Sequence, residues 1–103
     1  MGFFDQFSDH HREVSNSGHK AELSHELIAG AASYEAAKAY ENHIAKNGKP
    51  PSHEKAKELL AGVAGAFIDR EVETKGLDFI DREEAKHQAR EHIERGYEED
   101  YAN

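Results

Sequence analysis

The segment NGKPPS, residues 47–52, lies between two long stretches of helical periodicity and forces the chain to turn. Gly48 can adopt the left-handed conformation that ends a helix, and the two prolines that follow prevent the helix from continuing. Ser52 offers a side-chain oxygen that can cap the next helix. A second break at residues 75–77 (KGL) is followed at residues 81–84 by DREE, which has the pattern of a capping box.

These two breaks leave three predicted helices, at residues 20–46, 53–75 and 81–99. No part of the chain shows the alternation of apolar and polar residues that a half-buried strand requires. We therefore predict an all-α protein, a small three-helix bundle that forms a single helical domain at residues 19–103. An N-terminal arm, residues 1–18, precedes that domain.

The N-terminal arm is the most aromatic part of the chain. Three of the five phenylalanines, Phe3, Phe4 and Phe7, lie in it. Because an acidic chain with few large apolar residues gains by burying such rings, we expect the arm to dock on the helices or on a neighbouring subunit. A flexible tail is the alternative.

Composition excludes several classes of protein. The chain contains no cysteine, which rules out a disulfide framework, a thiol nucleophile and an iron–sulfur cluster. No apolar run has the length of a membrane span, and the first residues lack the features of a secretory signal, so we expect a cytoplasmic protein. The formal net charge of −8 argues against nucleic acid as a partner.

The first predicted helix is apolar on two sides, which leads us to expect a homo-oligomer. Two neighbouring helices can cover one side, but the other needs the N-terminal arm or a second copy, in the simplest case a dimer. One side consists of Leu23, Leu27, Gly30, Ala31 and Tyr34. The opposite side consists of His25, Ala29, Ala32, Ala36, Ala39 and His43.

The middle helix carries a column of small residues that ends in two carboxylates. Gly62 and Ala66 would let another backbone approach closely, and Asp69 and Glu73 would lie at the end of that contact. The same carboxylates also fit an ordinary acidic surface. The apolar stripe of this helix is predicted to be Ala56, Leu59, Leu60, Val63 and Phe67.

Eight histidines in 103 residues form the most distinctive chemical feature of the chain. Imidazole serves as a metal or haem ligand, a proton acceptor and a pH sensor. No two histidines have the spacing of a helical ligand pair, and solvated or capping histidines are the simpler interpretation. The sequence shows neither a nucleophile motif nor a glycine-rich phosphate loop.

Several stretches resemble the CipC-like antibiotic-response proteins, a family of small acidic fungal proteins. They are HKAELSHELIA at 19–29, AASYEA at 31–36, KELLAG at 57–62 and DREVETKGLDFID at 69–81. The start MGFFD at 1–5 is also similar. The resemblance implies a cytosolic role in stress and antibiotic exposure, and it brings no catalytic residues with it. The ionisable positions within or near the matching stretches are His19, His25, Glu26, His53, Asp69 and Glu73.

We therefore expect a non-enzymatic stress-response protein that acts through self-association or partner binding. The alternative is a protein that binds a transition metal or haem through histidine ligands, either within one chain or between subunits. Candidate metal ligands are His19, His25, His53, Asp69 and Glu73. His25 and His53 are also the candidate haem or other cofactor ligands. A further alternative is an enzyme whose site lies between subunits and uses His25 with the Asp69/Glu73 pair.

Overall fold

The computed structural model describes residues 2–16 and 24–101 of the chain, and throughout those ranges the protein is all-α. Its elements are a 3₁₀ helix at Phe3–Phe7 and four α-helices: α1 at Ser8–Asn16, α2 at His25–Asn47, α3 at His53–Lys75 and α4 at Arg82–Asp100. The all-α prediction is confirmed. In the described ranges, no helix is long and apolar enough to cross a membrane.

The capping signals act where the sequence places them. Ser52 Oγ accepts a hydrogen bond from Lys55 N at 3.1 Å, and the Asp81 carboxylate accepts from the backbone N–H groups of the next turn. Gly76 ends α3 in the left-handed conformation, with φ of 63°. Leu77 N donates to Val72 O at 2.9 Å, and the Leu77 side chain is buried.

The first helix of the bundle begins at His25, where Ser24 Oγ accepts a hydrogen bond from Leu27 N. The helix was predicted to begin at residue 20. Its predicted residues 20–23, and His19 before them, lie outside the described residues.

α2 packs against every other α-helix, and α3 packs against α4. The core of α3 lies further round the helix than the predicted stripe. Ala64, Ile68 and Val72 are buried there, whereas Leu59 and Val63 are only half-buried. The expected close helix contact is absent from the described structure, because Gly62 and Ala66 face solvent and a Cβ atom at Gly62 would meet no atom within 4 Å.

The N-terminal arm differs from the prediction of three helices, since it forms the 3₁₀ helix and a fourth α-helix. Phe4, Phe7 and Val14 of the arm are buried. The backbone N–H of Phe3 donates to Asp100 Oδ1 at 3.0 Å, which joins the arm to the end of α4. A helix of nine residues is too short to be stable alone and is stabilised by the surface on which it packs, so the sequence analysis did not assign it.

Both apolar sides of α2 are covered within one copy of the chain. Ala29, Ala32 and Ala36 have no exposed surface. On the other side the arm lies against Gly30, where an added Cβ would be 3.0 Å from the Phe7 ring, and against Glu35, whose carboxylate is 2.8 Å from His11 Nε2. The alanine row therefore does not require a second copy, and self-association needs another argument.

Candidate functional site

The end of the bundle at which α2 stops, α3 begins and α4 stops contains an open cavity, which we call the aromatic cleft. Its volume is about 490 Å³. The cleft is lined by Tyr40, Ile44, Lys49, Pro50, Pro51, Ser52, His53, Tyr97 and Tyr101. The segment NGKPPS, which turns the chain, thus also forms one wall of the cleft.

Three tyrosine rings form the floor of the aromatic cleft. Tyr97 lies in the last turn of α4, and Tyr101 caps the end of that helix four residues later, which places both side chains on the same side of it. The Tyr40 ring from α2 lies 6.4 Å from the Tyr97 ring and 5.1 Å from the Tyr101 ring, in edge-to-face arrangements. Tyr40 and Tyr97 are almost wholly buried, and Tyr101 is half-buried. The rings are therefore held rigidly by packing on one another.

A hydrogen bond connects the floor of the aromatic cleft to its rim, since His53 Nδ1 lies 2.6 Å from the Tyr97 hydroxyl. Burial raises the pKa of the Tyr40 phenol first, and the neighbouring Tyr97 side chain raises it further. Because Tyr97 is almost wholly buried, we assign its hydroxyl as the donor to His53 Nδ1, which places the ring hydrogen of His53 on Nε2.

The hydroxyl of Tyr101 has a different hydrogen-bond partner. It donates to Glu41 Oε2 at 3.0 Å. Burial raises the pKa of Tyr101 well above its usual value, and the hydrogen bond to Glu41 adds to the effect. Tyr40 and Tyr101 therefore stay protonated and neutral over the physiological pH range.

The charge at the aromatic cleft is opposite in sign to that of the whole chain. No carboxylate lines the cleft, whereas Lys49 does, and Lys49 forms no ion pair within the described part of the chain. Lys57 lies nearby with its Nζ 5.7 Å from the centre of the Tyr97 ring, but it is neutralised by Glu94 at 2.8 Å and Glu98 at 3.6 Å. Lys49 therefore lines the aromatic cleft as a cation that has no carboxylate partner among the residues that the structure describes.

A second cavity, which we call the acidic cleft, lies on the other side of Tyr101 and has a volume of about 430 Å³. Its lining includes four carboxylate residues and one lysine. The lining residues are Gly2, Phe4, Asp5, Tyr34, Ala37, Lys38, Glu41, Glu99, Asp100 and Tyr101. Part of this carboxylate set has a structural role, since Asp100 holds the arm and Glu41 accepts from Tyr101.

His25 and His53, the two predicted cofactor ligands, lie at opposite ends of the bundle. His25 begins α2, and His53 follows the loop at the far end of that 23-residue helix, which spans about 34 Å. His25 Nε2 accepts a hydrogen bond from the backbone N–H of Asp81 at 2.8 Å and so fixes the start of α4. The two imidazoles cannot bind one metal or one haem within a single chain.

Asp69 and Glu73 take part in ion pairs on the surface. Asp69 Oδ2 accepts from Lys86 Nζ at 3.1 Å, and Arg82 Nη1 lies 3.3 Å from Asp69 Oδ1 and 3.4 Å from Glu73 Oε1. The hydrogen bond from Lys86 is the main reason that the pKa of Asp69 is lowered. Across residues 2–16 and 24–101, no group of three or more histidine, aspartate or glutamate side chains could hold a metal ion.

The sequence analysis did not single out Tyr40, Tyr97, Tyr101 or Lys49. One local signal for a shared surface was available. Tyr97 and Tyr101 have the i, i+4 spacing that places two side chains on one helical face, near the end of a predicted helix. The convergence of that pair with Tyr40 and with the Pro50–Pro51 loop depends on the packing of α2 against α4, which the sequence pattern does not specify.

Comparison with known proteins gives a family and no closer relative. A family model described as "Virulence factor CipC-like" matches residues 10–100 of the chain. No curated protein and no solved structure matches. The matched range includes every residue that lines the aromatic cleft except Tyr101.

Proposed function

The chain belongs to the family of CipC-like virulence factors, and we propose that it is a non-enzymatic stress- and antibiotic-response protein that binds a small ring-containing molecule in the aromatic cleft. The family supplies the biological setting, in which we expect the protein to act in the cytoplasm. The proposal of a binding role is based on the aromatic cleft. It makes the expectation of partner binding more specific, because the partner becomes a small molecule. Self-association is a separate expectation that the molecular mass in solution would test.

The observation that carries this proposal is the aromatic cleft itself. Small-molecule sites are concave, have volumes of about 300–1,000 Å³, and combine apolar or aromatic walls with a few fixed polar groups. The cleft has a volume of about 490 Å³, three tyrosine rings and two prolines. Its polar groups are held in place, because His53 is bonded to Tyr97 and Tyr101 to Glu41. Such a site pays little entropy to receive a rigid ligand.

The proposal is tested by NMR titration of the full chain with two bicyclic probes, 2-naphthoate and its neutral counterpart 2-naphthamide. We expect at least one probe to shift the amide signals of residues 40–53 and 97–101. Ile44→Phe, which adds a ring to the cleft wall, should weaken binding about tenfold or more. Leu59→Phe alters a half-buried apolar residue of α3 outside the cleft and should leave binding unchanged. Shifts that avoid both segments, or that are equal in the two variants, contradict the proposal.

One observation favours the alternative of metal or haem binding: His53 Nε2 lies at an aromatic cleft and has no hydrogen-bond partner among the described residues. Ligation through Nε2 would require the proton on Nδ1, which would leave the buried Tyr97 hydroxyl without its acceptor. Metal analysis and an absorption spectrum of the purified protein distinguish the two functions. A bound metal, or a Soret band that weakens in His53→Ala, would favour the alternative.

A further inference from the structure

The aromatic cleft combines three tyrosine rings and an unpaired cation with a lining that contains no carboxylate. The chain has 21 acidic against 13 basic residues, so a lining without any carboxylate is unusual for this protein. Lys49 is exposed at the rim and forms no ion pair with a described residue. An unpaired ammonium beside three tyrosine rings provides a partner for an anionic group.

His53 supplies a second donor at the same rim. The Tyr97 side chain is only 4% exposed, so its hydroxyl proton needs an acceptor inside the protein, and His53 Nδ1 is 2.6 Å away. When Nδ1 accepts, the neutral imidazole carries its proton on Nε2. His53 Nε2–H is therefore a donor that no described residue uses. A protonated imidazole would keep this donor, so both forms present it to a ligand.

Lys49 and His53 Nε2–H lie at one rim of the aromatic cleft, where both attract negative charge. On the far side of Tyr101, the acidic cleft repels it, because Asp5, Glu99 and Asp100 line that cavity.

We propose that the aromatic cleft binds small aromatic carboxylates, with the ligand's ring against the tyrosines and its carboxylate bound by Lys49 Nζ and His53 Nε2–H. This inference rests on the proposed function, because it names the ligand class of the same cleft. It adds a charge requirement that ring binding alone does not include.

The test compares 2-naphthoate with 2-naphthamide by isothermal titration calorimetry. The two probes have the same ring system and nearly the same shape but differ in charge. We expect the full chain to bind naphthoate at least tenfold more tightly than naphthamide. Lys49→Gln and His53→Ala should each remove most of that preference, measured as the ratio of the two probe affinities in the same variant. Higher salt should reduce the preference, since Lys49 is exposed to solvent.

Lys46→Gln is the matched control. Lys46 is also an exposed lysine, in the last turn of α2, but it does not line the aromatic cleft. We expect this variant to keep the full preference for naphthoate. A smaller effect of Lys49→Gln than of Lys46→Gln would mean that general charge, and not the site, determines binding, and would overturn the inference.

The outcomes separate the inference from the proposed function. If naphthamide binds in the cleft as tightly as naphthoate does, the anionic ligand class is wrong and the proposed function stands. If neither probe binds, both are wrong. If naphthoate binds more tightly but the preference survives in both Lys49→Gln and His53→Ala, the assignment of the two donors is wrong.

Discussion

The arm and the aromatic cleft are both places where aromatic rings meet histidines, yet one is closed and the other is open. Under the arm, the Phe7 ring lies 4.6 Å from the His92 ring and 5.6 Å from the His10 ring, and it rests on Gly30. At the other site, three tyrosines meet His53 and leave a cavity of about 490 Å³.

The size of the residues opposite the rings accounts for the difference. Glycines beneath the arm let the phenylalanine rings approach the helix backbone, and a Cβ atom at Gly96 would lie only 2.5 Å from the Phe4 ring. At the aromatic cleft, Pro50 and Pro51 line the same open cavity as three large tyrosine side chains. Similar residue types thus pack closed where the facing residues are small, and they line an open cavity where the facing residues are large.

The largest expected effect comes from Gly96→Ala in α4. Alanine favours helix over glycine by about 1 kcal/mol, but the added methyl would overlap the rings of Phe3 and Phe4. Overpacking of this kind costs about 1–3 kcal/mol or more, so we expect a net loss of stability and exposure of the arm. Urea unfolding measures the first effect, and limited proteolysis of the arm measures the second.

Gly62→Ala is the matched control for that prediction. Gly62 is an exposed helical glycine, and a Cβ atom there would meet no atom within 4 Å. We expect this variant to be stabilised by about 0.5–1 kcal/mol through helix propensity alone. If Gly96→Ala is stabilised to the same extent, the arm does not pack tightly on α4.

A smaller effect is expected from pH, again at the arm. Burial lowers the pKa of His92 below its ordinary value of 6.5, and the charge of Arg95 lowers it further. Because the folded state binds this proton less readily than the unfolded state, stability is complete above about pH 6.5 and falls as the pH drops towards the folded-state pKa. We expect the melting temperature of His92→Gln to fall less than that of the original chain when the pH is lowered from about 7.5 to about 5.5.

His87→Gln on the same helix is the control for the pH prediction. His87 is exposed, and its Nε2 lies 3.7 Å from Glu91 Oε2. The substitution should leave the acid sensitivity of the chain almost unchanged. Equal effects of the two variants would show that acid acts through the net charge of the molecule and not through the arm.

The smallest expected effect is that of Tyr101→Phe at the aromatic cleft. The substitution removes only a hydroxyl, and its partner Glu41 is exposed and can return to water. We expect a loss of about 0.5 kcal/mol or less in urea unfolding. A loss as large as that of Gly96→Ala would mean that the aromatic cleft is packed as tightly as the arm.

The fold was largely predictable because its helix ends depend on local chemistry. Ser52, Gly76 and Asp81 cap their helices through groups only a few residues away, and those signals can be found in the sequence. The helix of the arm was not predictable in the same way. It is short, and its stability comes from contacts with α2 and α4 that are remote in sequence.

The candidate site was less predictable, because its chemistry is shared among remote segments. His53 was selected from the sequence as a metal or cofactor ligand, and the structure places it at the aromatic cleft. Its structural partner, Tyr97, lies 44 residues further along the chain. His25 was selected for the same reason, and its Nε2 accepts a hydrogen bond at the start of α4. A count of histidines cannot distinguish these two environments, which differ in the neighbours that the packing supplies.

The bond between the Phe3 backbone and Asp100 joins residues 97 positions apart. During synthesis on the ribosome, the arm emerges before α4 has been made, so its phenylalanines cannot yet be buried against that helix. During this interval the nascent chain exposes apolar residues near its amino end, which favours chaperone binding. Slow translation of α4 would lengthen that exposure.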